Sequence, residues 1–190
     1  MNEWAGDTAG YTVLAQASWP ADITDPLPAL PGFILSSFSP LVAELAERCL
    51  RQYFGARSAE VKRARRTGIV VASTTGDIAT AAAVARAVEA GRRVPPLLFY
   101  QSNPNAVAGY VAARWHLAGP VVCTVPASRG LADALDSACL IIEDGDADAV
   151  LVVVADTRPP ADDAGTALLV GPSSWAGANT EGISDERQGH

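Results

Sequence analysis

The chain has 190 residues, of which 49% are hydrophobic and 18% are charged, and its 14 basic and 21 acidic residues give a net charge of −7. A chain of this length suits one domain and buries roughly 70% of its unfolded surface, so a core forms without disulfides or metals. The apolar fraction argues against a disordered chain, and the acidic balance argues against a general nucleic-acid binder.

The apolar segments are too short to span a bilayer. The longest are AVLVVVA at 149–155 and GIVVA at 68–72. The first ten residues, MNEWAGDTAG, are polar and acidic and lack the basic region that precedes the apolar run of a secretory signal. We therefore expect a cytoplasmic protein with no membrane and no nucleic acid among its partners.

Strand and helix patterns alternate along the chain. Continuous apolar runs predict buried strands, and apolar residues repeating every three or four positions predict amphipathic helices. In chain order the predicted elements are a strand at 11–19, a helix at 41–54, a strand at 67–72, a helix at 78–90, an extended piece at 97–101, a helix at 105–117 capped by Asn103, a buried strand at 121–125, a helix at 128–143, and strands at 149–155 and 165–170.

This alternation predicts an α/β fold with a five-stranded, mostly parallel sheet and helices on both faces. The predicted organisation is a flexible N-terminus at 1–10, one domain at 11–172 and a disordered tail at 173–190.

Metal-ligating residues are few. Cys49, Cys123 and Cys139 are an odd number without CxxC spacing, which argues against a disulfide framework or a zinc site. The acidic loop at 143–148 does not follow the spacing of a calcium-binding loop. We expect no metal and no cofactor, and each cysteine is interpreted as a small buried apolar residue.

Five basic residues fall within ten positions. A solvated helix end or loop is the favoured interpretation, and a local patch for an acidic partner is the alternative. They are Arg57, Lys62, Arg63, Arg65 and Arg66.

The turn at 125–130 lies between a predicted strand and a predicted helix. In α/β enzymes this position holds a nucleophile, because the helix N-terminus stabilises a developing anion. Ser128 is therefore a candidate nucleophile, with Asp156 as the acid of a triad. However, Pro126 replaces the first glycine of Gly-x-Ser-x-Gly, and the only later histidine is His190. An N-cap role for Ser128 is favoured, and the turn at 74–77 is likewise interpreted as a simple capped turn.

Residues 96–156 resemble the N-terminal half of the β-ketoacyl synthases, which belong to the thiolase-like superfamily. The matching motifs are Asn105-Ala106-Val107-Ala108-Gly109, then Gly119-Pro120 before a strand, then Ile142 to Asp148 (Ile-Glu-Asp-Gly-Asp-Ala-Asp) before an apolar strand. Their order and spacing agree together over some sixty residues, and the earlier part of the chain fits less sharply.

Three departures from the family bear on function. The position of the family's nucleophilic cysteine falls on Ser128 when aligned from Gly119-Pro120, or on Pro126 when aligned back from Gly130. No counterpart follows the fifth strand for the family's second half, which carries two histidines and a lysine. Val153 and Val154 replace glycines that are usual in the last motif.

A ketosynthase-like subunit without the cysteine resembles the chain-length factors of type II polyketide synthases, which act in antibiotic biosynthesis. The resemblance implies a subunit that is not an enzyme by itself, pairs with a ketosynthase and shapes the acyl tunnel of the complex, which contacts an acyl-carrier protein. Two alternatives stay open: a serine-dependent acyl hydrolase or acyltransferase using Ser128, and a decayed interaction module.

The resemblance also implies two sets of site residues. The dimer contact would be made by the strand Val121, Val122, Cys123, Thr124 and Val125. The tunnel wall would be made by Leu98, Phe99, Gln101, Ala106, Gly109, Tyr110 and Ala113. Of the second set, positions 106, 109, 110 and 113 share one helical face by spacing.

Overall fold

The computed structural model describes residues 10–21, 26–55, 66–157 and 163–175. These parts of the chain form five strands and five helices. In chain order they are β1 (Tyr11–Trp19), α1 (Phe38–Phe54), β2 (Thr67–Ala72), α2 (Ile78–Glu89), α3 (Pro96–Gln101), α4 (Pro104–Trp115), β3 (Val121–Thr124), α5 (Leu131–Glu143), β4 (Ala149–Asp156) and β5 (Ala164–Pro172), followed by a 3₁₀ turn at Ser173–Trp175.

The five strands form one sheet in the order β1-β5-β4-β2-β3. β2 pairs in parallel with β3 and with β4, whereas β5 is antiparallel to both of its neighbours. The α/β class predicted from the sequence is confirmed, but the sheet is mixed instead of mostly parallel. The reason is chain length: only residues 157–163 connect β4 to β5, and a parallel connection needs a dozen or more residues.

The sheet buries side chains on both faces. Alternate residues of the central strands, such as Val71 and Leu151, face a core that includes residues of α1 and α4. Their neighbours Val70 and Val150 face a second core that includes residues of α5. Strands buried on both faces read as continuous apolar runs, which explains why the sequence predicts β2 and β4 so clearly.

Two predicted elements differ from the structure. Residues 97–101 are part of helix α3, in which Pro96 occupies the first turn, a position that suits proline because its missing N–H would be unpaired there. β3 ends at Thr124 and is partly exposed along its length, because it is the edge strand and not a buried one. Short apolar runs do not distinguish these cases.

The predicted helix caps are partly confirmed. Asn103 caps α4 by accepting a hydrogen bond from the Asn105 amide at 3.0 Å, and Asp77 caps α2 by accepting one from Thr80 at 3.1 Å. The turn at 74–77 is thus a capped turn, as predicted.

Several predictions concern residues that are only partly described. Trp175, within the predicted tail, packs against the first core, and residues 176–190 lie outside the described residues. Residues 1–9 and the basic cluster, apart from Arg66, also lie outside the described residues. Arg66 forms an ion pair with Asp148 at 2.7 Å. Within the described part of the chain, no helix is long and apolar enough to cross a membrane.

Glu47 connects α1 to α4 by a charged network. Its carboxylate accepts hydrogen bonds from Arg114 Nε at 3.1 Å and Trp115 Nε1 at 3.0 Å, and it pairs with Arg51 at 2.6 Å. Burial opposes ionisation, but the hydrogen bonds from Arg51, Arg114 and Trp115 outweigh it and lower the pKa of Glu47 from 4.5 to about 2.

We predict that Glu47→Gln lowers the free energy of unfolding by about 1–2 kcal/mol at neutral pH, because charge-assisted hydrogen bonds are lost at a partly buried site. Since the folded pKa is depressed, this contribution is complete above pH 4.5 and is lost as the pH falls towards 2. Urea denaturation at pH 7 and pH 3 should show the difference between wild type and variant shrinking. Glu44→Gln, which removes an i,i+4 pair with Arg48, is the control and should cost about 0.5 kcal/mol or less. A pH-independent difference would contradict this account.

Candidate functional site

The turn from β3 to α5 lies at the carboxyl end of the parallel strands. α5 begins at Leu131, and its N-cap is Gly130 with φ 54°, a left-handed conformation that favours glycine. Pro126 is buried and Ser128 is exposed. The prediction that the helix begins at Ser128 with this residue as its cap is therefore wrong, because the chain needs Gly130 to turn into the helix.

A carboxylate of the chain occupies the N-terminus of α5. Asp133 accepts a hydrogen bond from the Arg129 backbone N–H at 3.1 Å, and it pairs with the Arg129 guanidinium at 2.8 Å. A helix N-terminus stabilises negative charge, and here Asp133 already supplies that charge. The negative charge at this helix N-terminus is thus supplied by a side chain that is itself paired with Arg129.

Ser128 also lacks a base. Its hydroxyl has no hydrogen-bond partner among the described residues. His116 is exposed at the C-terminal end of α4, and His190 lies outside the described residues. Asp156, the predicted acid of a triad, bonds instead to the loop after β2. The described residues do not assemble the serine hydrolase geometry.

The cysteines are poor nucleophiles as well. Burial raises the pKa of Cys123 in β3 to about 11 and that of Cys49 in α1 to about 12. Burial, followed by the charges of Glu143 and Asp136, raises the pKa of Cys139. All three are thiols at neutral pH, whereas a ketosynthase-type reaction needs a thiolate. The described residues include no cluster of histidine, cysteine and carboxylate side chains that would hold a metal.

A cavity of about 440 Å³ opens beside the same turn. Three segments line it: the loop after β2, the junction of α3 and α4, and the end of β3. Its walls combine hydroxyl and amide groups with a few apolar side chains, and its lining residues are Val71, Ser73, Thr74, Thr75, Gly76, Asp77, Ala81, Ser102, Asn103, Pro104, Asn105, Cys123, Thr124 and Val125. Because these segments are distant in sequence, no single motif predicts the cavity.

Neither the 440 Å³ cavity nor a second one of about 280 Å³ brings the seven predicted tunnel residues together. On α3, Gln101 is buried, Leu98 is half-buried and Phe99 is exposed. On α4, Ala106 lies in the first core, while Gly109 and Ala113 are exposed.

Tyr110 faces elsewhere. Its ring packs edge-on against Phe33 at a centroid distance of 6.2 Å, and it lines a second cavity of about 280 Å³ beside Glu47 and Arg114. Two of the seven residues are thus buried, Leu98 and Tyr110 are half-buried, and the exposed ones are Phe99, Gly109 and Ala113.

Among the described residues, no strand pairs with the outer side of β3, so this edge of the sheet is open. Val121 is 42% exposed and Val125, just beyond the strand, is 72% exposed. β2 bonds to the carbonyls of Pro120 and Thr124. Because backbone groups alternate along a strand, the N–H and C=O groups of Val121 and Cys123 point away from β2, towards the open edge.

The sequence matches the family described as β-ketoacyl synthase, N-terminal domain, over residues 21–164. This match covers more than half of the chain, so the chain belongs to this family. None of the curated proteins is similar enough in sequence to be identified as a relative.

Solved structures share the fold. A chain of the ketosynthase in complex with its chain length factor from Xenorhabdus doucetiae superposes with a TM-score of 0.63 at 18% identity, covering 86% of this chain and 79% of that one. The ishigamide ketosynthase/chain length factor gives a TM-score of 0.62 at 19% identity and covers 87% of this chain. A type II acyl-carrier protein complex with its ketosynthase gives 0.64 at 15% identity over 90% of this chain.

This chain spans only 61% of the matched ishigamide chain and 65% of the matched chain in the acyl-carrier protein complex. At these identities the likeness establishes the thiolase-like fold that the sequence resemblance implies.

We predict that Ser128→Ala changes the free energy of unfolding by no more than about 0.5 kcal/mol, because an exposed side chain without a partner is removed. Asp133→Asn is the comparison and should cost about 0.5–1 kcal/mol, since it weakens the charge at the helix N-terminus. Chemical denaturation of both variants measures this. A cost of 1 kcal/mol or more for Ser128→Ala, as expected for a lost cap, would contradict the assignment of Gly130 as the N-cap.

Proposed function

We propose that this chain is a non-catalytic, chain-length-factor-like subunit that pairs with a ketosynthase in a type II polyketide or fatty-acid-like synthase. The observation that carries the proposal is the turn at 125–130. It has the strand–turn–helix frame of the family, but it offers Pro126 and an unactivated Ser128 at the two candidate cysteine positions. Asp133 supplies negative charge where a nucleophile would need to develop it.

The acyl chain would reach this subunit only through its partner. A subunit without a nucleophile cannot hold the chain covalently, so its contribution is the shape of the space into which the partner's acyl chain grows. The structures with a similar fold include a ketosynthase with its chain length factor and a ketosynthase with an acyl-carrier protein. These assemblies support a ketosynthase as the partner and an acyl-carrier protein as a contact of the complex.

The open edge of β3 is the proposed contact with the ketosynthase. Free backbone groups at Val121 and Cys123 suit pairing with a strand of another chain. On α3 the apolar side chains of Leu97, Phe99 and Tyr100 are 52%, 69% and 59% exposed. Exposed apolar side chains together with a free strand edge favour association, and we expect the chain to be an obligate heterodimer.

The exposed part of the predicted tunnel wall would face the same partner. Gly109 and Ala113 present small residues on the outer side of α4, and a Cβ added at Gly109 meets nothing within 4 Å. We therefore expect a larger residue at Gly109 to leave the fold of this subunit intact.

We predict that Val121→Lys combined with Val125→Lys prevents pairing with the ketosynthase. Lysines on an open edge oppose strand addition and would bury charge in an apolar contact. The test is co-expression with the ketosynthase encoded closest to this chain in its genome, followed by size-exclusion chromatography with light scattering. Wild type should elute as a 1:1 complex, and the double variant should leave the ketosynthase unpaired.

Leu140→Lys is the matched control for this experiment. Leu140 is 60% exposed but lies on α5, away from β3, so its variant should pair like wild type. Equal pairing by all three proteins would refute the β3 contact, and a well-behaved wild-type monomer that never co-elutes would refute the partnership itself.

We predict that Gly109→Phe shortens the product of the reconstituted pair without preventing assembly, since volume added in a dry tunnel does not relax easily. Mass spectrometry of the products measures the chain length, and Leu140→Phe on α5 is the control. If Gly109→Phe instead lowers the yield of the complex and leaves the product unaltered, this face of α4 is a packing surface and not a tunnel wall.

A further inference from the structure

The loop after β2 is held by a residue of a different strand. β2 and β4 are parallel neighbours with Ala72 opposite Val154, so the ends of the two strands lie side by side. At the end of β4, Asp156 Oδ1 accepts hydrogen bonds from Ser73 Oγ at 3.0 Å, from Thr74 N at 2.8 Å and from Thr74 Oγ1 at 2.8 Å. Thr75 Oγ1 donates a longer bond at 3.3 Å. One carboxylate is therefore hydrogen-bonded to three consecutive residues of the loop.

The loop is in turn folded around Ser73. The Ser73 hydroxyl accepts hydrogen bonds from the backbone N–H of Gly76 at 2.8 Å and of Thr75 at 3.4 Å. Because the same hydroxyl donates to Asp156, the carboxylate fixes both the position of the loop and its internal turn. Ser73 is buried and Asp156 is half-buried, so this contact is partly shielded from solvent.

Asp156 is ionised in this arrangement. Partial burial opposes the charge, but the hydrogen bonds from Thr74, Ser73 and Thr75 outweigh it and hold the pKa below its usual value. A carboxylate accepts stronger hydrogen bonds from hydroxyl and N–H donors than a neutral group does. The charge thus strengthens the attachment of the loop.

The attached loop is one wall of the 440 Å³ cavity. Residues 73–77 all line this cavity, whereas Asp156 is not among its lining residues. Asp156 can therefore affect the cavity through the loop that it holds.

We propose that Asp156 is a positioning residue that fixes the 73–76 loop as a wall of this cavity and thereby limits the room available to the acyl chain. This inference rests on the proposed function, because it takes the cavity to be space that the growing chain enters. Asp156 then acts on chain length without touching the chain.

The test compares Asp156→Ala with Asp156→Asn in the co-expressed pair. Alanine removes every side-chain acceptor, whereas asparagine keeps one acceptor oxygen without the charge. The asparagine variant is therefore milder, and it keeps the proposal testable if the alanine variant does not fold. Hydrogen exchange of the amides of residues 74–76 should accelerate roughly 10- to 100-fold in Asp156→Ala, as expected when several charge-assisted hydrogen bonds are lost. Asp156→Asn should be intermediate, and product length should shift in the same order.

Glu47→Gln is the control for a merely structural effect. It removes a comparable charged network, but Glu47 lines the other cavity. It should lower stability without changing exchange at 74–76 or product length. Unchanged exchange at 74–76 in both Asp156 variants would overturn the proposed attachment, whatever the function.

Faster exchange with unchanged product length would overturn the link between the loop and chain length. The proposed function would fail separately, if the wild-type chain does not pair with the ketosynthase at all.

Discussion

The close approach of the Gly119 backbone to β2 is the constraint on which the arrangement of the site depends. Gly119 N donates to Thr67 O at 3.1 Å, and Ile69 N donates to Pro120 O at 2.8 Å, so the Gly-Pro step sets the register of β3 on β2. A Cβ at Gly119 would lie 2.6 Å from Gly68 N and 2.7 Å from the Thr67 carbonyl. These distances are too short for a Cβ atom, so this position requires glycine. From this register follow the open edge of β3, the position of the turn into α5 and the third wall of the cavity.

The same frame holds different residues from those that the sequence resemblance implies for a catalytic member of the family. A parallel strand that enters a helix N-terminus concentrates positive potential on the turn between them. In this chain the carboxylate of Asp133, in the first turn of α5, lies at this positive end of the helix. Ser128 is exposed and has no hydrogen-bond partner among the described residues. Meanwhile the hydroxyls of the neighbouring loop are bound to Asp156. These two carboxylates thus hold neighbouring backbone and loop segments in place.

Much of the fold could be predicted from the sequence, because the central strands are buried on both faces and the helices between them have clear ends. Asn103 marks the start of α4 by local chemistry, whereas the C-cap of the helix is His116, a non-glycine residue with φ 56° that no sequence signal identifies. The helical conformation of α3 is not predicted because a short apolar run fits a strand as well as a helix. The strand β5 is predicted, but its antiparallel direction is not, because strand direction depends on the length of the connection.

The site was less predictable because its contacts are long-range. The family resemblance locates the turn at 125–130 and the strand at 121–125, since both lie inside a motif. The carboxylate of Asp156 and the hydroxyl of Ser73 are 83 positions apart, and only the parallel pairing of β2 with β4 brings them together. The sequence does not predict Gly130 as the N-cap of α5, because serine is a common N-cap residue and glycine a less common one. Ser128, however, lies two residues before the N-cap position.

The central claim is that this chain shapes a reaction that its partner catalyses. The most direct test is intact-mass spectrometry of the co-purified pair after incubation with an acyl group carried as a thioester on an acyl-carrier protein. The account predicts a covalent acyl adduct on the ketosynthase alone, with the mass of this chain unchanged. An acyl adduct on this chain, at Ser128 or at any cysteine, would contradict it.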